Sequence, residues 1–145
     1  MRGIQDVQSS LSTMIVGHVF DRFTRLRIVS AENDCGWVPH FMYRQDHFFH
    51  KYTSSEDKLL EKKPSDYIRR HFWATFQDDI VGPMTCRYFG EDNYMWASDF
   101  PHGDSTWPNS RKVVEQDFNG VPQTITQKIV HSNVVKLYKM DLHEL

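Results

Sequence analysis

The sequence lacks the marks of several protein classes. No apolar run is long enough to cross a bilayer. The opening Met1-Arg2-Gly3-Ile4-Gln5-Asp6 is too polar for a secretory leader, and the patch Met14-Ile15-Val16 is too short. Charge of one sign is not in excess: 17 Lys and Arg against 19 Asp and Glu give a net charge of -2, which offers no bulk attraction to nucleic acid or anionic lipid. No zinc-finger, helix-turn-helix or RNP pattern is present. Cysteine is sparse. Cys35 and Cys86 form no C-x-x-C spacing, so a reduced pair of small core residues is expected rather than a disulfide framework. These absences lead to three expectations: a cytoplasmic location, no nucleic-acid partner and no membrane partner.

What is present suits one folded domain. The 145 residues can bury a sizeable core. Hydrophobic residues make up 39% and charged residues 25%, the balance of a globular rather than a disordered chain. Aromatic residues reach 14%, so large rings must fill much of the interior.

Val7, Leu11, Met14, Ile15, Val19 and Phe23 recur at helical spacing and predict one amphipathic helix, with Arg22, Arg25 and Arg27 crowding its end. Leu26 to Ala31 is short, branched and mostly apolar, as a strand covered on both faces would be. A helix is expected from about Trp37 to Tyr52, with Trp37, Phe41, Phe48 and Tyr52 along one stripe. Residues 53–63 read as a charged loop with a weak helical tendency around Lys58-Leu59-Leu60. Pro64-Ser65-Asp66 starts a short helix, and His71 to Phe76 is a second strand. A helix to about Tyr88 follows, then a third strand, Tyr94 to Ser98, stopped by Pro101. Helices over about 110–118 and 122–138 complete the order.

Short apolar strands alternating with helices argue for an α/β fold with a parallel sheet. Each strand ends in a turn carrying carboxylates: Glu32, then Asp78 and Asp79, then Asp99. Ligands in such sheets gather beyond the carboxyl ends of the strands. Three strands leave two open edges, and a complete (β/α)8 barrel needs about 250 residues.

Four blocks, in order, carry a family resemblance. They are Val19-Phe20-Asp21-Arg22-Phe23 through Glu32 to Gly36-Trp37-Val38-Pro39; Lys63-Pro64-Ser65-Asp66-Tyr67 into Trp73-Ala74-Thr75-Phe76; Met95-Trp96-Ala97-Ser98-Asp99-Phe100-Pro101-His102 with Ser105 to Ser110; and Lys128 to Asn133 with Leu137-Tyr138. The third is the most specific. Together they resemble the amidohydrolase-related family, which includes aminocarboxymuconate-semialdehyde decarboxylase and related aromatic-acid decarboxylases.

The resemblance implies that residues 1–145 are the C-terminal part of one TIM-barrel domain, with its strands six, seven and eight. It implies a metal-dependent hydrolase or decarboxylase acting on a small organic acid, aromatic or not, or a lactone. Asp99 matches the family's aspartate at the end of strand eight, a ligand of the divalent metal, commonly zinc, and a handler of protons. The family's remaining ligands, a His-x-His pair on strand one and a histidine on strand five, have no counterpart here. The chain alone is therefore expected to be metal-poor and inactive. Glu32 stands where several members carry a histidine; an acid, a base, a substrate-orienting group and a salt-bridge partner all remain open for it.

His102, Ser98 and Trp107 are the neighbouring candidates for contacting substrate or supporting the site, against a solvated histidine, a hydrogen-bonding serine and a packed loop aromatic. His40, His47 and His50 lie on a helix that no barrel site faces, and are expected to be exposed or satisfied. A different class of function is a binding or assembly module that pairs its open sheet with another chain, a homo-oligomer included.

Overall fold

The structure is a computed structural model that describes residues 2–52 and 59–141. Three strands, β1 (Ile28–Ser30), β2 (Phe72–Phe76) and β3 (Tyr94–Trp96), form one sheet in the order β1-β2-β3. Both pairings are parallel, with Ile28 opposite Phe72 and Ala74 opposite Tyr94. The helices are α1 (Arg2–Val16), α2 (Val19–Arg22), α3 (Val38–Tyr52), α4 (Pro64–His71), α5 (Val81–Phe89), α6 (Ser110–Asp117), α7 (Gln123–Gln127) and α8 (Asn133–Tyr138). A π-helical turn, Lys128–Ser132, joins α7 to α8. Among the described residues, no helix is long and apolar enough to cross a membrane.

The aromatic richness of the sequence goes into one core. Phe72, Ala74 and Phe76 alternate along β2 onto the face that packs with Phe20, Ile68, Phe89, Phe118 and Ile129. Each such ring removed from water contributes roughly 2–3 kcal/mol. The opposite face is less covered: Val29, Trp73 and Thr75 are only half-buried, whereas Met95 is buried. The expectation of strands buried on both faces is thus met only in part.

Several boundaries differ from the sequence reading. The single helix expected through Phe23 is two helices. His18 takes a left-handed conformation (φ 56°) after Gly17, which ends α1 and redirects α2. The basic residues expected at its end lie beyond that break. The strands are also shorter than expected, and Leu26, Arg27 and Ala31 lie outside β1.

The stripe from Trp37 to Tyr52 splits. Phe41 is buried, but Phe48 and Tyr52 are 63% and 67% exposed. A 15-residue helix spans about 22 Å, longer than the strands it covers, so its far end overhangs them. The charged loop expected over 53–63 lies outside the described residues as far as residue 58, and Leu59 to Lys63 form no helix.

Two carboxylates hold the layers in register. Asp79, just after β2, accepts hydrogen bonds from the backbone N–H groups of Cys35 (2.8 Å), Gly36 (2.5 Å), Val81 (3.0 Å) and Gly82 (3.2 Å). It thereby ties the turn after β1 to the start of α5. The approach is close enough that a Cβ on Gly82 would lie 2.2 Å from Cys35 Sγ, so glycine is required there. Asp21 of α2 accepts from the Tyr67 hydroxyl of α4 at 2.7 Å and contacts the His18 ring at 2.9 Å. Those two hydrogen bonds hold its carboxyl below the usual range. Burial, with Asp21 beside it, pushes the Tyr67 phenol up to about 12.

The free edge of β3 is covered by its own chain. Ala74 N–H and Phe76 C=O face β3 through Asn93 C=O and Ala97 N–H, which turns the Tyr94 carbonyl outward. Asn133 donates its side-chain amide to that carbonyl and to Glu91 O, both at 2.8 Å. The helix over 122–138 is expected from sequence as one element; the π turn inside it sets Ile129 and Asn133 both inward.

Two outcomes follow. Asp79→Ala removes a charged acceptor from four backbone donors and is expected to cost about 3 kcal/mol of unfolding free energy in urea at pH 7; a loss below about 1 kcal/mol would show that Asp79 is not a clamp. Asp21 is depressed in the folded chain. Its contribution is therefore full above the unfolded value near 3.8 and is lost as pH falls through the lower folded value. Asp21→Asn should shrink the fall in urea midpoint between pH 6 and pH 3, and an unchanged fall would count against this linkage.

Candidate metal centre at the strand ends

Parallel strands point their carboxyl ends the same way, so the turns after β1 and β3 share one rim of the sheet. Glu32 follows β1 and Asp99 follows β3. Both residues are left-handed, each with φ 59°. That conformation is uncommon for a side-chain-bearing residue, and its strain collects at functional sites. Glu32 is held by its own N–H, which donates to the Thr75 hydroxyl of β2 at 3.3 Å.

A tight turn completes the group. His102 N–H donates to Asp99 C=O at 2.9 Å, folding the histidine back over the aspartate. His102 Nδ1 then lies 3.1 Å and 3.3 Å from the two Asp99 carboxylate oxygens and 3.9 Å from Glu32 Oε1. One donor atom from each of Glu32, Asp99 and His102 lies within 4.8 Å of the other two. The Asp99 side chain is 12% exposed, whereas Glu32 and His102 are 56% and 62% exposed. The group is thus rooted at Asp99 and open to solvent on its other side.

The donor set fits a divalent transition metal. Imidazole nitrogen and carboxylate oxygen are ordinary ligands of zinc and its neighbours. Ligand atoms around a tetrahedral ion at about 2.1 Å sit about 3.4 Å apart, so small side-chain rotations would close the observed spacing. The rim also carries negative charge. Burial, then the carboxylates of Asp79, Asp78 and Asp104, raise Asp34 above the usual range. Burial, then Asp78 and Asp79, do the same for Asp117, whose buried Oδ2 has no hydrogen-bond partner among the described residues.

The other sequence candidates take different places. The Ser98 carbonyl accepts from Thr106 N–H (3.1 Å) and the Ser105 hydroxyl (2.7 Å), so Ser98 fastens the loop that carries His102. Its own hydroxyl accepts from Phe100 N–H at 3.4 Å. Trp107 is 64% exposed and meets Phe100 edge-to-face at 5.8 Å. Phe100 was not singled out by sequence; its only signal is its place beside Asp99.

Of the strand-end carboxylates, Asp79 is spent on backbone donors and stands apart from the three-residue group. Thr75, which fixes Glu32, gave no sequence signal because an interior strand residue looks like packing. His40, His47 and His50 are exposed on α3, as expected.

The family model described as Amidohydrolase matches residues 6–140. No curated protein matches the sequence. Among solved structures, an amidohydrolase from Mycobacterium avium subsp. paratuberculosis K-10 superposes with a TM-score of 0.77 at 22% identity, covering 97% of this chain and 34% of that one. A 5-carboxyvanillate decarboxylase from Sphingomonas paucimobilis gives 0.77 at 24% identity, covering 96% and 41%. A dihydroxybenzoic acid decarboxylase from Polaromonas sp. JS666, with bound manganese and the inhibitor 2-nitroresorcinol, gives 0.76 at 18%, covering 94% and 40%. These likenesses show the fold: the chain is three parallel β/α units of a partial TIM barrel. It spans less than half the length of the structures it matches.

Manganese added to the 15N-labelled chain should broaden the amide signals of Glu32, Asp99 and His102 before any others, and Asp99→Asn should abolish that order. Broadening that begins elsewhere would show that the three side chains do not attract a cation.

Proposed function

The chain belongs to the amidohydrolase family, and on that basis we propose that residues 1–145 form the C-terminal part of a metal-dependent hydrolase or decarboxylase domain. The substrate class is a small organic acid, aromatic or not, or a lactone. The observation that carries this reading is the convergence of Asp99, Glu32 and His102 on the carboxyl-end rim.

In this proposal Asp99 holds a divalent metal, zinc or manganese, with Glu32 and His102 beside it. A divalent ion supplies Lewis acidity, polarising an oxygen of substrate or water. Asp99 takes or gives a proton at a carboxylate oxygen, and its low exposure keeps that oxygen from bulk water. His102 orients Asp99 through Nδ1. Glu32, across the group, serves as the second acid, base or substrate-orienting residue. Phe100 and Trp107 flank the mouth and Ser98 sets the loop. The matched structures are more than twice as long as the aligned part, which supports locating further metal ligands on strands outside these residues.

A non-catalytic assembly role draws on one different observation. The groove between α1 and β1, about 300 Å³, is lined by Leu11, Met14, Ile28 and Phe72 and by Ser30, whose buried hydroxyl has no hydrogen-bond partner among the described residues.

The purified chain, loaded with zinc or manganese and dialysed, is expected to retain less than one metal per chain and to release no carbon dioxide from 5-carboxyvanillate or 2,6-dihydroxybenzoate. Stoichiometric metal with turnover would overturn the view that essential ligands lie elsewhere. Metal uptake unchanged by Asp99→Asn would overturn the assignment of Asp99.

A further inference from the structure

The amino ends of the strands form a second, chemically opposite surface. A cleft of about 330 Å³ opens there, lined by Arg27, Arg69, Lys136 and Lys139 around Trp73 and Leu137. Arg27 precedes β1, Arg69 precedes β2 on α4, Lys136 lies on α8 and Lys139 just past it. Four cations around one cleft stand out in a chain of net charge -2. Among the described residues, none of the four has a carboxylate within ion-pair reach. Asp92 also lines the cleft, but it lies 3.2 Å from Lys128 Nζ, which is paired with Glu91 as well.

We propose that this cleft binds a small organic anion that joins a planar ring to a phosphate or carboxylate group. Both guanidiniums are held in place yet keep donors to spare. Arg27 donates to Arg70 C=O at 3.4 Å and lies 5.1 Å over the Trp73 ring; Arg69 donates to Tyr88 C=O at 3.0 Å. A guanidinium has five N–H groups, so most remain for a ligand. Backbone acceptors nearby are already used. Asn93 donates to Arg69 O and Phe72 O, Asn133 to Glu91 O and Tyr94 O, and the Trp73 indole N–H to Asp92 O at 3.2 Å.

The cleft therefore offers an excess of donors and positive charge, which an acceptor-rich anion would match. Trp73, its N–H spent, offers only its ring, and Leu137 adds apolar surface, which favours a planar apolar portion. The volume lies at the lower end of the range of small-ligand sites and exceeds what a bare inorganic anion fills. The inference is independent of the proposed metal chemistry at the opposite rim.

The test is a titration of the 15N-labelled chain at constant ionic strength, following the indole N–H signal of Trp73, assigned with Trp73→Phe. Phenyl phosphate should shift it saturably. Inorganic phosphate should bind at least tenfold more weakly, and benzyl alcohol should leave the signal in place. The pair Arg69→Gln and Lys136→Gln should weaken phenyl phosphate at least tenfold, whereas Asp99→Asn should not change it. Equal affinity for inorganic phosphate would remove the ring from the proposal. Shifts centred on Asp99 rather than Trp73, or affinity untouched by the charge-removing pair, would overturn the site.

Discussion

The common direction of the three strands is the constraint on which everything else rests. Because β1, β2 and β3 are all parallel, the chain must return along helices between them, and every strand must deliver its following turn to the same rim. Reversing β1 would carry Glu32, and reversing β3 would carry Asp99, to the far end of the sheet. The Asp79 carboxylate secures this arrangement by binding four backbone N–H groups from two different connections.

The same direction separates charge. The carboxyl-end rim collects Glu32, Asp34, Asp78, Asp79, Asp99 and Asp104, and burial, then the charges of Asp79, Asp78 and Asp104, raises Asp34. The amino-end surface collects Arg27, Arg69, Lys136 and Lys139. A nearly neutral chain therefore presents two faces of opposite sign. One suits a cation and the other an anion, and neither is apparent from the net charge.

Much of the fold is legible in the sequence because strand, turn and helix signals are local. His71 to Phe76 and Tyr94 to Ser98 both read as strands from their own residues, and the structure keeps Phe72–Phe76 and Tyr94–Trp96 of them. Other features resist such reading. His18 breaks a helix whose apolar spacing continues through it, since periodicity reports the side of an element and not a left-handed residue within it. Phe48 and Tyr52 keep the spacing of a buried stripe but overhang the sheet. Asp79 and Asp99 look alike as strand-end carboxylates. They differ in what lies near: four backbone donors from two connections in one case, a histidine ring in the other.

By itself the sequence determined the order of strands and major helices, the parallel α/β class and the family. Each of these rests on residue types close together along the chain. Tertiary structure alone decided that Glu32 approaches His102 and Asp99, that Asn133 covers the edge of β3, and that Arg27 and Lys139 share a cleft. Those are meetings of distant residues, fixed by strand register and helix packing, and no local pattern encodes which side chains will be neighbours in space.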